Sequence, residues 1–283
     1  MKTLLITGGS GYLGSQLAQA AVAQGWTVWA TFYSHPVKPE GCQAAQLDLR
    51  DAGQTRATLQ RVRPQAIVHT ACSNRGDQPR HIVPAARSLA AAARELGVRL
   101  VHVSSDTVFD GEHPPYADEA LPAPVMDYGR AKAEAEALVS GLYPAALIVR
   151  PSLIWGLDPL DHQTRWLVDG VRHGERVTLF TDEFRCPVNV ADLCTALLEL
   201  AALPQLAGPL NLGGAQSLSR WDFGLRLLKG LGLAPGPTLE KGLSRESGLE
   251  RPRNLTLISR RASERLKTRL RGVDEVLAGT GSA

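Results

Sequence analysis

The stretch TGGSGYLG, Thr7 to Gly14, stands between an apolar run, KTLLITG, and a helical pattern from about Ser15 to Gln24, and it leaves few folds open. Glycine tolerates backbone conformations that a side chain forbids, so Gly8, Gly11 and Gly14 permit a tight strand-to-helix turn. Such a turn also presents free N–H groups and the positive end of a helix dipole, which together hold a pyrophosphate. Tyr12 and Leu13 lie within it and are expected to face the same ligand. A glycine turn that only packs closely is the structural alternative.

The pattern continues along the chain. WTVWATFY, AIVHTA, RLVHVSS and AALIVRP are short β-rich runs, and SLAAAARELG is a helix between two of them with Gly97 as its stop. Regular alternation predicts an α/β fold: a Rossmann-type doubly wound parallel sheet with helices on both faces. Ligands of such sheets sit at the carboxyl ends of the strands. After about Ser152 the alternation loosens. The expected division is a cofactor-binding domain over 1–152, to which 187–215 return, and a smaller C-terminal substrate-binding region over 153–283.

With 283 residues the chain is long enough for one large domain or two modest ones. A net charge of +3 and the lack of a basic block argue against nucleic acid as partner. No apolar run reaches the roughly 18 residues of a membrane helix, and glycines interrupt the N-terminal run where a signal peptide would continue. Cys42, Cys72, Cys186 and Cys194 show neither CxxC nor His-rich spacing, so no metal site or disulfide framework is expected. Reduced thiols and no export signal predict a cytoplasmic protein. A homodimer is compatible with the sequence.

Cofactor choice follows from residues at the end of the second strand. NAD-preferring sites usually carry an acid about 20 residues beyond the glycines. Here Thr31 to His35 contain none, and Ser34, His35 and Lys38 could meet a 2′-phosphate, which favours NADP and leaves NAD as the alternative. His35 and Lys38 could equally be solvent-facing loop residues. Asp48, with Leu49, is placed to accept from an adenine amino group or to cap the following helix. Thr70 and Ala71 would leave room for the nicotinamide ribose. His69 and His102 lie inside strands and read as structural.

Tyr128 and Lys132, in DYGRAKAEAEALV, share one helix face. An ammonium beside a phenol of pKa about 10 favours the phenolate and makes the proton transferable near neutral pH. That combination suits carbonyl reduction or alcohol oxidation.

TGGSGYLG, SSDTVFDG (Ser104 to Gly111), YGRAK, VRPSLIWG, PVNVADL and RPRN together resemble the extended short-chain dehydrogenase/reductases, and within them the dTDP-4-dehydrorhamnose reductase family. The resemblance implies a catalytic triad at Ser105, Tyr128 and Lys132. Ser105 would hold the substrate carbonyl, Tyr128 would protonate it, and Lys132 would lower the tyrosine pKa and bind the nicotinamide ribose. It also implies that Ser105, Asp106, Thr107, Arg185 and Arg251, with Asn189 and the rest of RPRN, face a nucleotide-sugar diphosphate or close the site. Surface arginines pairing with nearby acids are the plain alternative. Thr107, Leu153 and Ile82 depart from the family pattern around the sugar.

The expected function is NADP(H)-dependent reduction of a nucleotide-linked 4-keto-6-deoxysugar. Two alternatives stay open. One is an NAD-dependent nucleotide-sugar epimerase, and the other is a non-catalytic NADP-binding subunit similar to the regulatory beta subunit of methionine adenosyltransferase.

Overall fold

The structure, a computed structural model, describes residues 2–36, 40–72 and 78–280. Its first half alternates as the sequence suggests: β1 (Thr3–Thr7), α1 (Tyr12–Ala23), β2 (Thr27–Phe32), β3 (Gln43–Gln46), α2 (Ala52–Val62), β4 (Ala66–His69), α3 (Ile82–Glu95), β5 (Arg99–Val103), α4 (Asp127–Leu142) and β6 (Leu147–Pro151). The second half contains β7 (Ile154–Trp155), α5 (His162–His173), β8 (Val177–Phe180), β9 (Phe184–Arg185), β10 (Val188–Asn189), α6 (Val190–Ala201) and β11 (Gly208–Leu212). It ends with β12 (Leu218–Ser219), α7 (Arg220–Gly230), β13 (Leu239–Gly242), α8 (Arg260–Arg265) and α9 (Val273–Thr280).

Seven of these strands form one sheet in the order β3-β2-β1-β4-β5-β6-β11, with every neighbouring pair parallel. The change of direction from β1 outward, to β2 on one side and β4 on the other, opens a crevice at the carboxyl ends. Successive strand residues point to opposite faces, so Leu4 and Ile6 join one core with α1 and α6, while Leu5 joins another with α2, α3 and α4. The central strands β4, β5 and β6 are buried at every position, as a sheet covered on both faces requires. β11 returns from the second half to pair with β6.

The remaining elements build a smaller layer above the strand ends. β8 pairs with β13, and Trp155, Leu167, Phe223 and Leu227 form a separate core beneath α5, α7 and α9. Asp161, Asn189 and Ser219 cap α5, α6 and α7 by accepting from backbone N–H groups in the first turn. Among the described residues no helix is long and apolar enough to cross a membrane.

The long connection from β5 to α4 is fixed to the sheet by Arg150 on β6. Its guanidinium meets the Glu136 carboxylate at 2.7 Å with both side chains 5% exposed or less, and it donates to the carbonyls of Asp118 and Ala120. The same group lies 5.0 Å from the Phe109 ring centre. Removing one partner of a buried pair strands the other charge. Glu136→Ala should therefore cost about 3–5 kcal/mol in urea unfolding, and a loss below about 1 kcal/mol would contradict this account of the connection.

Candidate active site

The glycine turn is close-packed as well as tight. Gly8 has φ of +73°, and a Cβ there would lie 2.7 Å from Ala71 Cα at the end of β4. A Cβ on Gly14 would overlap the Gly8 carbonyl oxygen, so only glycine lets α1 begin this near β1. Gly11 precedes α1 without any side-chain cap, which leaves the first N–H groups of the helix available to an anion.

A cavity of about 300 Å³ runs outward from Gly8 and Gly11 past Thr31, Ser34, Asp48, Leu49, Thr70 and Ala71. A second cavity, of about 230 Å³, shares Gly11, Thr70 and Cys72 with the first and continues past Tyr12, Leu13 and Gly14 to Ser105, Tyr128 and Lys132. Together they make one elongated groove with the glycine turn at its middle. The uncapped helix start and the space reserved by Gly8 and Gly14 fit the pyrophosphate of a nicotinamide dinucleotide.

Helix α4 reaches the groove through Gly129. A Cβ at this position would overlap the carbonyl oxygen of Thr107, so the glycine lets the helix lie against the end of β5. Tyr128 and Lys132 are thereby delivered beside Ser105. Lys132 is 3% exposed and donates to the Val103 carbonyl at 2.9 Å. An ammonium has three donors, and no other hydrogen-bond partner of Lys132 is found among the described residues.

Ser105 Oγ accepts from Thr107 N at 3.2 Å and from Thr107 Oγ1 at 2.9 Å, and donates to Asp106 Oδ1 at 3.3 Å. The Tyr128 hydroxyl lies 3.3 Å from Cys72 Sγ. One expectation is corrected here. Burial, then the neighbouring Cys72, hold the Tyr128 phenol well above its ordinary range, and the nearby Ser105 hydroxyl only partly opposes them. The Lys132 ammonium bonds the Val103 carbonyl and lies 5.9 Å from the tyrosine ring centre. Tyr128 is consequently held as a phenol, with its proton still to give.

Other expected site residues separate into those that line cavities and those that do not. Asp106 is 4% exposed and accepts from Ser152 Oγ at 2.8 Å; burial raises its pKa, with Arg185 opposing. Arg185 does not face open space. It is 7% exposed, donates to the carbonyls of Phe184 and Pro252, and pairs with Glu183 at 3.2 Å and Asp106 at 3.8 Å. Thr107 points to Ser105, and Asn189 is spent as a helix cap. Asp48 does not cap α2, since Asp51 does; it binds Arg50 at 2.6 Å instead. Ser34 borders the first cavity, His35 bonds to Ser34 Oγ at 2.9 Å, and Lys38 lies outside the described residues.

Arg251 borders a third cavity of about 560 Å³, with Trp166, Phe180, Glu183 and Arg220. Burial draws the Arg220 pKa down to about 10, while Glu183 opposes the shift. Of these residues the sequence pointed to Arg251 alone. No local spacing marks Trp166 or Arg220, which enter from α5 and α7.

The arrangement is that of an extended short-chain dehydrogenase/reductase, and within that class the chain belongs to the family described as the RmlD substrate binding domain, whose model matches residues 1–279. It is 29% identical over 233 residues to methionine adenosyltransferase 2 subunit beta of Xenopus laevis, covering 77% of this chain and 69% of that one. It is 32% identical over 206 residues to a dTDP-4-keto-6-deoxy-D-glucose reductase of Streptomyces niveus, covering 69% and 67%. A solved structure described as a hypothetical dTDP-4-dehydrorhamnose reductase from Sulfolobus tokodaii superposes with a TM-score of 0.84, at 27% identity and 99% coverage of both chains.

Beneath Lys132 lie two buried imidazoles, His69 and His102, with ring centres 5.0 Å apart. His69 Nδ1 is 2.7 Å from Thr7 Oγ1. Burial and the Lys132 charge push His69 down to about 3, and burial, His69 and Lys132 push His102 well below its ordinary range. Both are neutral in the fold, whereas in the unfolded chain they take up protons as pH falls through about 6.5. Folding stability should thus be full above pH 6.5 and fall on acidification, by about 2 kcal/mol per imidazole at pH 5. Urea unfolding at both pH values checks this: His102→Leu should flatten the slope, and an unchanged slope would contradict the assignment.

Proposed function

We propose that the protein is an NADP(H)-dependent reductase of a nucleotide-linked 4-keto-6-deoxysugar. The observation that carries this reading is the meeting of Ser105, Tyr128 and Lys132 in a cavity continuous with the glycine turn. In this reading residues 1–152, with 187–215, hold the cofactor, and 153–283 supply most of the substrate side. The reductases among the similar proteins support it. The absence of a carboxylate from Thr31 to His35 supports NADP over NAD.

Gly8, Gly11 and the N-terminus of α1 would bind the pyrophosphate, and the two open N–H groups of Lys132 would bind the ribose hydroxyls. When bound there, a reduced nicotinamide would supply a hydride to the C4 carbonyl carbon. Ser105 orients the carbonyl oxygen, using a hydroxyl whose direction Thr107 and Asp106 already restrict. As negative charge grows on that oxygen, Tyr128 transfers its proton and completes the alcohol. Raising the phenol pKa favours retention of this proton until an alkoxide, which is more basic, forms beside it. The nearby Lys132 ammonium then offsets the phenolate.

The third cavity suits the remainder of the substrate. Trp166 and Phe180 offer aromatic surface for a base, and Arg220 and Arg251 offer planar donors for a diphosphate. With NADPH and dTDP-4-dehydrorhamnose, absorbance of the reduced cofactor should fall; other 4-keto sugar nucleotides extend the assay. Tyr128→Phe should lower turnover by about 10²- to 10⁴-fold while cofactor affinity stays near that of the unaltered protein. No cofactor consumption across the substrate panel would overturn the reading.

The similarity to methionine adenosyltransferase 2 subunit beta favours a second reading, a cofactor-binding regulatory subunit. Under that reading the protein co-purifies with a catalytic partner, and Tyr128→Phe leaves the partner's activity unchanged.

A further inference from the structure

Recognition of a 2′-phosphate requires cationic donors near the end of the second strand, where NAD-specific sites place an acid. The loop after β2 supplies Ser34 and the exposed Tyr33 there. Among the described residues, a cation reaches it from another segment. Arg50, two residues beyond Asp48 in the connection from β3 to α2, lies across this strand end with its guanidinium centre 5.1 Å from the Tyr33 ring centre. Among the described residues lining the first cavity, Arg50 is the one guanidinium and Asp48 the one carboxylate.

The hydrogen bonds of Arg50 show which edge is in use. Nε bonds the Asp48 carboxylate at 2.8 and 3.1 Å, and Nη2 bonds it at 2.6 Å. Nη2 also donates to Tyr33 Oη at 2.9 Å, and Nη1 is 3.3 Å from His81 Nε2. Of five N–H donors, four are thereby directed, and one on Nη1 remains. The carboxylate fixes the plane of the guanidinium by its inner edge, and Tyr33 covers one face. The outer edge keeps that single Nη1 donor; its other donors go to the Tyr33 hydroxyl and His81, contacts that an incoming phosphate oxygen would replace. Arg80 Nε is 3.2 Å from the same His81 nitrogen, so two guanidiniums converge on one imidazole nitrogen.

A simple ion pair between neighbouring surface residues would need none of this. Such pairs contribute little to stability, and a flexible arginine loses side-chain entropy by adopting a single pose. Held flat by its inner edge, however, an arginine can take phosphate oxygens on its outer edge once the Tyr33 and His81 contacts are exchanged.

We infer that Arg50, braced by Asp48 and stacked on Tyr33, recognises the 2′-phosphate of NADP(H) and sets the preference for this cofactor over NAD(H). Tyr33 and Ser34 hydroxyls complete the donors. This rests on the cofactor part of the proposed function and is independent of the sugar. Asp48 has two tasks in this arrangement: it orients Arg50, and its charge prevents the site from attracting any anion indiscriminately.

The test is direct binding, measured by calorimetry on the full chain, for NADP⁺, NAD⁺, 2′,5′-ADP and 5′-AMP. The unaltered protein should bind NADP⁺ and 2′,5′-ADP more tightly than their counterparts without the 2′-phosphate. Arg50→Gln should weaken NADP⁺ and 2′,5′-ADP by about 10- to 100-fold and leave NAD⁺ and 5′-AMP within about twofold, with Arg50→Lys intermediate. An unchanged urea midpoint in the variants shows that the fold is intact. Equal losses for both pairs would make Arg50 only a brace for Asp48 and would overturn the inference, as would an unaltered protein that binds NAD⁺ as tightly as NADP⁺. A protein that shows the expected pattern but reduces no keto-sugar retains the inference and loses the reductase reading. Failure to bind either dinucleotide overturns both.

Discussion

A nearly buried ammonium organises the centre of this protein. Lys132 has given up most of its water for one hydrogen bond to the Val103 carbonyl, and burial of a charge is costly unless its remaining donors find acceptors. Its place is fixed by several separate features. Helical spacing sets it one turn beyond Tyr128, Gly129 lets the helix close on Thr107, and β5 ends where the ammonium arrives. The two open donors at the cavity are the part of this arrangement that the fold itself does not satisfy. Ribose hydroxyls would satisfy them.

The effect of that charge extends below the site. His69 and His102 are held neutral by burial and, to a lesser extent, by the Lys132 charge, so the sheet under the groove contributes no second cation beside it. Elsewhere, buried charges have a different use. Asp106, Arg185 and Glu183 form a chain behind Ser105, tying β9 to the end of β5 through Ser152 and the Phe184 and Pro252 carbonyls. Their role is to hold the walls of the site. Arg220 and Arg251 face the open cavity beyond them.

The elements most legible in the sequence are those set by local chemistry. Strand and helix alternation follows from burial patterns a few residues long, the glycine turn is contiguous, and the Tyr128 and Lys132 spacing is one helical turn. Register between distant segments carries the rest. Arg50 meets Tyr33 only because β3 pairs with β2, and Cys72 meets Tyr128 only because β4 and α4 converge. Motif position likewise identified Arg185 without showing which way it points. The phenol pKa was misjudged for a related reason: spacing reveals that Lys132 lies on the same face but not that its ammonium bonds a carbonyl, nor that burial outweighs it.

If the groove joins a nicotinamide at Lys132 to a keto-sugar at Ser105, then hydrogen must pass between them within it. NADPH stereospecifically deuterated at the transferring C4 position, incubated with the protein and a nucleotide 4-keto-6-deoxysugar, measures this directly. The account predicts one deuterium at C4 of the product sugar, located by NMR and matched by loss of label from the cofactor. Bound cofactor with unlabelled, unreduced sugar would contradict it.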